Sequence, residues 1–147
     1  MSDDFLSIPG ASIDLLLSSR GTGGRFTTFR ITTEGGTKLA LHKHTYEHGF
    51  FFVLAGEYQF EIADKTVTAP AGTSVFVPRE TAYSFRQVGS GTAKLLVVSL
   101  PGGLDLFFKD VRALKQQGAP LDWMDMAAVL DKHGIRLELE PGALGEL

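Results

Sequence analysis

The run EYQFEI, Glu57 to Ile62, alternates: Tyr58, Phe60 and Ile62 share one side of an extended chain, and Gln59 and Glu61 the other. That period of two is the signature of a half-buried β-strand. Similar short apolar stretches recur up to Pro101, among them SIDLLLSS, RFTTFRIT, TKLALH, FFFVLAG, TSVFVP, AYSFRQV and TAKLLVVSL. Turn sequences such as RGTGG, TEGG, ADK, PAG and GSG separate them. Close punctuation with many Phe, Val and Thr predicts an all-β sandwich or barrel of about eight or more strands. Runs such as FFFVLAG are apolar on both faces, so they call for an outer cover by a second sheet, the tail or a second subunit.

After Pro101 the period lengthens. Leu104, Phe107, Phe108, Val111 and Leu114 fall at helical spacing, with Asp105 in the first turn, Lys115 in the last and Gly118 as C-terminal cap. A second short helix is predicted from Asp122 as N-cap, through Met126, Val129 and Leu130, to a stop at Gly134. His133 beside that stop reads as a helix-end cation and Trp123 as a packing residue, both structural. The alternating tail IRLELE is expected to add an edge strand or to lie across the barrel. The expected organisation is a single domain, with residues 1–101 a barrel with its N-terminal arm and 102–147 a helical extension packed on the outside.

Composition narrows the chemistry. The chain has no cysteine, which removes disulfides, thiolate nucleophiles and zinc ribbons, so a metal would need His, Asp, Glu or Tyr. A net charge of −3 without a basic stripe argues against nucleic acid as a partner. MSDDFLSIPG lacks a charged-then-apolar leader and the apolar runs are too short to span a bilayer, so the expectation is a cytoplasmic protein without membrane attachment.

The stretch HKHTYEHGFFFVLAG carries the candidate chemistry. His42 and His44, at i and i+2, point to one side of a strand, as a sheet-borne metal site requires. The loop TYEHG is expected to be mobile and to bring Glu47 and His48 as helpers. Phe51 and Val53 would then wall a small-molecule pocket, and Gln59 and Glu61 would contribute polar groups if their strand face looks inward. Arg30, Arg79 and Arg86 read as solvated or ion-paired.

The segment Gly36 to Gly56 resembles the first motif of the cupin superfamily: a glycine, five residues, His-x-His and, further on, a glutamate seven residues before a glycine. Gly36, His42, His44 and Gly56 stand at the matching separations. Gly72 and Pro78 resemble the second motif, in which Glu80 and Gln87 replace the usual glycine and asparagine. The resemblance implies a double-stranded β-helix, or jelly-roll, barrel with a short C-terminal α-helical extension, similar to small quercetin-dioxygenase-like cupins. It also places Gly49 where the family has a glutamate ligand and Tyr83 where it has a histidine ligand. His42, His44 and Tyr83 would therefore point into the barrel, with an empty space beside Gly49.

Three function classes stay open. The first is an isomerase, cyclase or lyase using His42, His44 and Tyr83 for acid–base catalysis on an apolar or aromatic metabolite. The second is a metal-dependent dioxygenase with a remodelled His/His/Tyr or His/His/Glu site, holding iron, zinc, nickel or manganese on His42 and His44. The third is a non-catalytic metabolite-binding cupin. A homodimer is expected from the two-faced apolar strands.

Overall fold

The alternating stretches become strands. The computed structural model describes residues 4–8, 10–117 and 123–138. The strands of the barrel are β1 (Asp4–Ile8), β2 (Ala11–Leu17), β3 (Thr27–Glu34), β4 (His42–His44), β5 (His48–Ala55), β6 (Glu57–Ile62), β7 (Lys65–Pro70), β8 (Ser74–Val77), β9 (Tyr83–Gln87) and β10 (Thr92–Leu100). Two helices follow, α1 (Leu104–Gln116) and α2 (Trp123–Lys132), and then β11 (Ile135–Leu137). One sheet runs β1-β2-β3-β10-β5-β8 and the other β11-β4-β9-β6-β7. From β3 to β10 the chain steps repeatedly between the two, the jelly-roll way of making an all-β barrel with a C-terminal helical extension.

The period of two decides what fills the interior. Tyr58 and Phe60 are fully buried, and Phe29, Phe51, Val53, Phe85, Leu95 and Val97 join them between the sheets. The rings of Phe51, Phe60 and Phe85 meet in tilted or edge contacts at 5.2 to 6.2 Å between centroids, the geometry aromatic quadrupoles prefer. A buried polar bridge crosses from one sheet to the other: the Tyr58 hydroxyl lies 2.6 Å from Thr33 Oγ1, which donates to Gln87 Oε1, while Gln87 Nε2 donates to the Gly91 carbonyl. Burial pushes the Tyr58 pKa up, so the phenol is available as donor in this bridge. Its polar atoms are thereby satisfied rather than left dry.

The helices add a wall to the barrel's apolar interior. α1 and α2 present Leu104, Phe107, Phe108, Val111, Met126 and Leu130 to a cavity that barrel residues also line. Asp105 ties α1 to the β2–β3 connection, its Oδ2 accepting from Ser19 N and Oγ at 3.1 Å each. Asp110 joins α1 to the end of α2, paired with His133 Nε2 at 2.7 Å and Lys132 Nζ at 3.0 Å. The hydrogen bonds from His133 and then Lys132 hold the Asp110 carboxyl below its usual range. β1 also goes beyond the sequence reading: it docks under α1, with Arg112 over the Phe5 ring and Lys115 Nζ donating to the Ser7 carbonyl. The tail does add an edge strand, β11 pairing with β4. The caps expected at Gly118 and Asp122, and the side chain of Trp123, lie outside the described residues. No helix among the described residues is long and apolar enough to cross a membrane.

Two glycines separate backbone from packing demands. Gly56, between β5 and β6, has φ +77°, and a Cβ there would meet Ala93 Cβ at 2.5 Å; Gly72 has φ +92° with nothing within 4 Å. Gly72→Ala should cost only the left-handed backbone penalty, about 1–2 kcal/mol. Gly56→Ala should cost about 2–4 kcal/mol because overpacking is added. Urea unfolding of the two variants side by side checks the order.

Candidate active site

Strand pairing builds the site. His42 stands directly opposite Tyr83 across the β4–β9 ladder, so their side chains share the inner face. Their ring centroids are 4.5 Å apart, and Tyr83 lies 6.3 Å from His44 and 5.5 Å from Phe51. On the other side of β4, β11 sets Ile135 against His44 and Leu137 against His42. Lys43, of opposite parity, turns outward to Glu138 at 3.4 Å. The histidine strand is thus held from both edges, one of them by the C-terminal extension.

Both imidazoles have their Nδ1 atoms committed. His42 Nδ1 lies 2.8 Å from the Ala40 carbonyl, and His44 Nδ1 lies 3.2 Å from Glu47 Oε1. Each partner is an acceptor, so each Nδ1 carries a hydrogen and each neutral ring presents a lone pair at Nε2. The two Nε2 atoms face one another at 3.2 Å. Two lone pairs at that distance repel unless a cation sits between them. A hydrogen shared between the two Nε2 atoms meets the requirement, with Glu47 Oε1 orienting His44 through Nδ1. His42 resists protonation, its pKa lowered to about 4 by burial first and by its neighbour His44 second.

The loop that supplies Glu47 is anchored, contrary to the mobility expected of TYEHG. Thr45 N donates to the Gly134 carbonyl at 2.8 Å and Glu80 N to the His44 carbonyl at 2.7 Å. Gly134 itself approaches the Tyr46 ring so closely that a Cβ would come within 2.5 Å. Nor is the corner beside Gly49 empty. The Phe51 ring fills it, its Cε1 3.0 Å from where a Cβ on residue 49 would stand. What remains there is a void of about 20 Å³ bordered by His44, Glu47, His48, Gly49, Phe51 and Tyr83, room for about one water.

The larger cavity, about 330 Å³, takes His42, His44, Tyr83 and Phe51 as one wall; Leu6, Ile13, Phe29 and Ile31 from the first sheet and the apolar faces of α1 and α2 make the rest. Several residues expected to bind substrate stand elsewhere. Gln59 and Glu61 face outward, Gln59 accepting from Arg86 Nε and Glu61 from Thr66 Oγ1, because their strand turns Tyr58 and Phe60 inward. Val53 is fully buried in packing and borders neither cavity. Glu47 holds His44 rather than lining the larger cavity. The His48 ring lies against the exposed Phe76, and its Nδ1 accepts from Arg79 N. The contributions of β1, α1 and α2 to the cavity carry no signal in the sequence beyond helical spacing.

The donor set meets a metal only partway. Two Nε2 atoms 3.2 Å apart match two adjacent ligands of a first-row ion at about 2.0–2.1 Å each. A third ligand is not assembled: among the described residues no group of three His, Cys, Asp or Glu converges on one point. Burial, reinforced by the Glu47 carboxylate, drives the Tyr83 pKa up, which opposes the tyrosinate that a His/His/Tyr set needs.

His42 also couples stability to pH. Its folded pKa, about 4, lies below the ordinary 6.5, so the unfolded chain binds more protons between those values. The stability it contributes is fully present above pH 6.5 and is lost as pH falls towards 4. The loss should be on the order of 3 kcal/mol. A His42→Gln variant should show a flatter decline across that window in denaturant titrations.

Comparison with known proteins agrees with this architecture. Residues 29–99 match the family model described as a cupin domain. KdgF from a Halomonas species superposes with a TM-score of 0.62 over 72% of this chain and 92% of its own, at 13% identity. An RmlC-like cupin from Shewanella frigidimarina gives 0.62 over 72% of this chain and 89% of its own, at 18% identity. In sequence, mannose-1-phosphate guanylyltransferase 2 of Escherichia coli O157:H7 is 30% identical over 77 residues, which is 52% of this chain but only 16% of that protein's length. With paired histidines on the inner face of a two-sheet jelly roll and the family match running from β3 to β10, residues 29–99 are a cupin domain and the chain has the cupin fold.

Proposed function

We propose that the protein is a small-molecule enzyme using acid–base chemistry on an apolar or aromatic carbonyl compound, of isomerase, cyclase or lyase type. The observation that carries this reading is the face-to-face Nε2 pair, two imidazole nitrogens 3.2 Å apart on the wall of an apolar cavity. Starting from the pair of neutral rings, the facing Nε2 atoms take up one proton from a substrate carbon or hydroxyl, share it, and return it to another atom, which restores the neutral pair. Glu47 orients His44 and offsets its charge. The Tyr83 hydroxyl, kept protonated by burial and free of hydrogen-bond partners among the described residues, donates to a developing oxyanion. The apolar walls favour a flat apolar body over a polar sugar phosphate such as the one in the guanylyltransferase's name.

A second reading rests on the same distance. If a first-row ion replaces the shared proton, His42 and His44 supply two ligands and the substrate or solvent must supply the others. Elemental analysis of the isolated protein decides between them.

We also infer a homodimer. Phe50 pairs with Phe76 and Val98, and Phe52 with Leu96, on the outer face of the first sheet, where Leu54 and Phe76 are exposed. A contiguous apolar sheet face of this kind suits an isologous contact with a second copy.

Once a substrate is identified by screening, Tyr83→Phe should reduce turnover by about 10² to 10⁴ while leaving the unfolding midpoint nearly unchanged, and EDTA should leave wild-type activity intact. Full turnover in Tyr83→Phe together with loss of activity on chelation would shift the assignment to the metal reading. For assembly, light scattering should give a dimer at micromolar concentration and a monomer for Phe76→Asp. A wild-type monomer would remove the dimer from the account.

A further inference from the structure

We propose that the void beside Gly49 is a built site for one water, and that Ser99 holds this water so that the Tyr83 hydroxyl is oriented towards the large cavity. The inference rests on the donor role given to Tyr83 above and adds to it a positioning residue and a bound solvent molecule. Along β10 the inward positions are Ala93, Leu95, Val97 and Ser99, so a hydroxyl stands where the strand's pattern calls for a fourth apolar side chain. Ser99 is only 2% exposed, and a hydroxyl that deep needs a partner. Its register partner on β5 is Gly49, and residues paired across a ladder send their side chains to one face. Since Gly49 has no side chain, the Ser99 hydroxyl borders the space the glycine leaves.

The void is large enough and polar enough for that water. Its volume of about 20 Å³ exceeds the roughly 10–15 Å³ that one water requires, and a buried water needs two to four polar partners. Glu47 Oε1 is taken by His44, but Oε2 is directed to the turn before Leu104, 3.9 Å from where a Cβ on Gly103 would stand, and Leu104 borders the void as well. Glu47 Oε2, Ser99 Oγ and the Tyr83 hydroxyl have no hydrogen-bond partner among the described residues. Counting hydrogens then fixes the directions. A carboxylate only accepts, so Glu47 takes one hydrogen of the water. Ser99 has no other acceptor, so its hydroxyl donates to the water. The second hydrogen of the water goes to the Tyr83 oxygen, which leaves the phenol hydrogen for a ligand oxygen in the cavity that Tyr83 also walls. Without the Ser99 hydroxyl the phenol donates to the water instead, and its hydrogen is lost to the ligand.

Two measurements on the intact chain test this. A high-resolution crystal structure should show one water within hydrogen-bond distance of Ser99 Oγ, Glu47 and the Tyr83 hydroxyl. In solution, 2-acetonaphthone and the hydrocarbon 2-ethylnaphthalene are compared by displacement of the neutral fluorescent dye N-phenyl-1-naphthylamine. The wild type should bind the ketone about threefold to tenfold more tightly than the hydrocarbon. Ser99→Ala, which cannot overpack the site, should abolish that preference while keeping the affinity for 2-ethylnaphthalene, and Tyr83→Phe should do the same. A void without water in the wild-type crystal, or a ketone preference that survives Ser99→Ala, overturns the Ser99 assignment and leaves Tyr83 as donor. Equal wild-type affinity for the two probes overturns the orienting role together with the donor role of Tyr83, while the crystal still decides the water. Failure of the dye and both probes to bind overturns the cavity reading as well.

Discussion

The Phe51 ring is the piece around which the interior is arranged. It is buried between the sheets, in contact with Phe60, Phe85 and Tyr83, and it borders both the large cavity and the water-sized void beside Gly49. A side chain at residue 49 and the ring at residue 51 compete for one volume, so the glycine and the phenylalanine are two halves of one packing solution. Protein interiors tolerate few voids, and the corner where the family pattern has a carboxylate is here closed by an aromatic edge. That closure leaves the histidines without a third ligand and makes the inner wall apolar.

With that corner closed, the polarity of the site comes from hydrogen bonds to the far sides of the imidazoles. Ala40 and Glu47 act at Nδ1, and their effect appears at Nε2, where two lone pairs are forced together. A buried arrangement of this kind is stable only with a hydrogen between the two nitrogens, since unpaired polar atoms in a dry interior are costly. The C-terminal extension takes part by pairing β11 with the histidine strand and by holding the Glu47 loop through Gly134. It is a structural component of the site as well as a wall of the cavity.

Much of this was legible in the residues. The period of two in EYQFEI assigned Tyr58 and Phe60 to the inside, and the i, i+2 spacing of His42 and His44 put both on one face; motif counting brought Tyr83 to the same place from a distant part of the chain. For Gln59 and Glu61 the parity rule set them opposite Tyr58 and Phe60 but not which face looked inward, and packing of the two aromatic rings in the core turned them out.

By itself the sequence determined periodicity, turn positions and which side chains share a strand face, because these follow from local backbone geometry within a few residues. It also determined that any chemistry here falls to imidazole, phenol and carboxylate groups, since thiols are absent. Tertiary structure alone decided that Phe51 occupies the corner beside Gly49, that Glu47 binds His44 instead of a ligand, and that α1, α2 and β1 enclose the cavity. Those outcomes depend on volumes and hydrogen-bond directions contributed by segments far apart in the chain, and competition for one space is settled only when those segments meet.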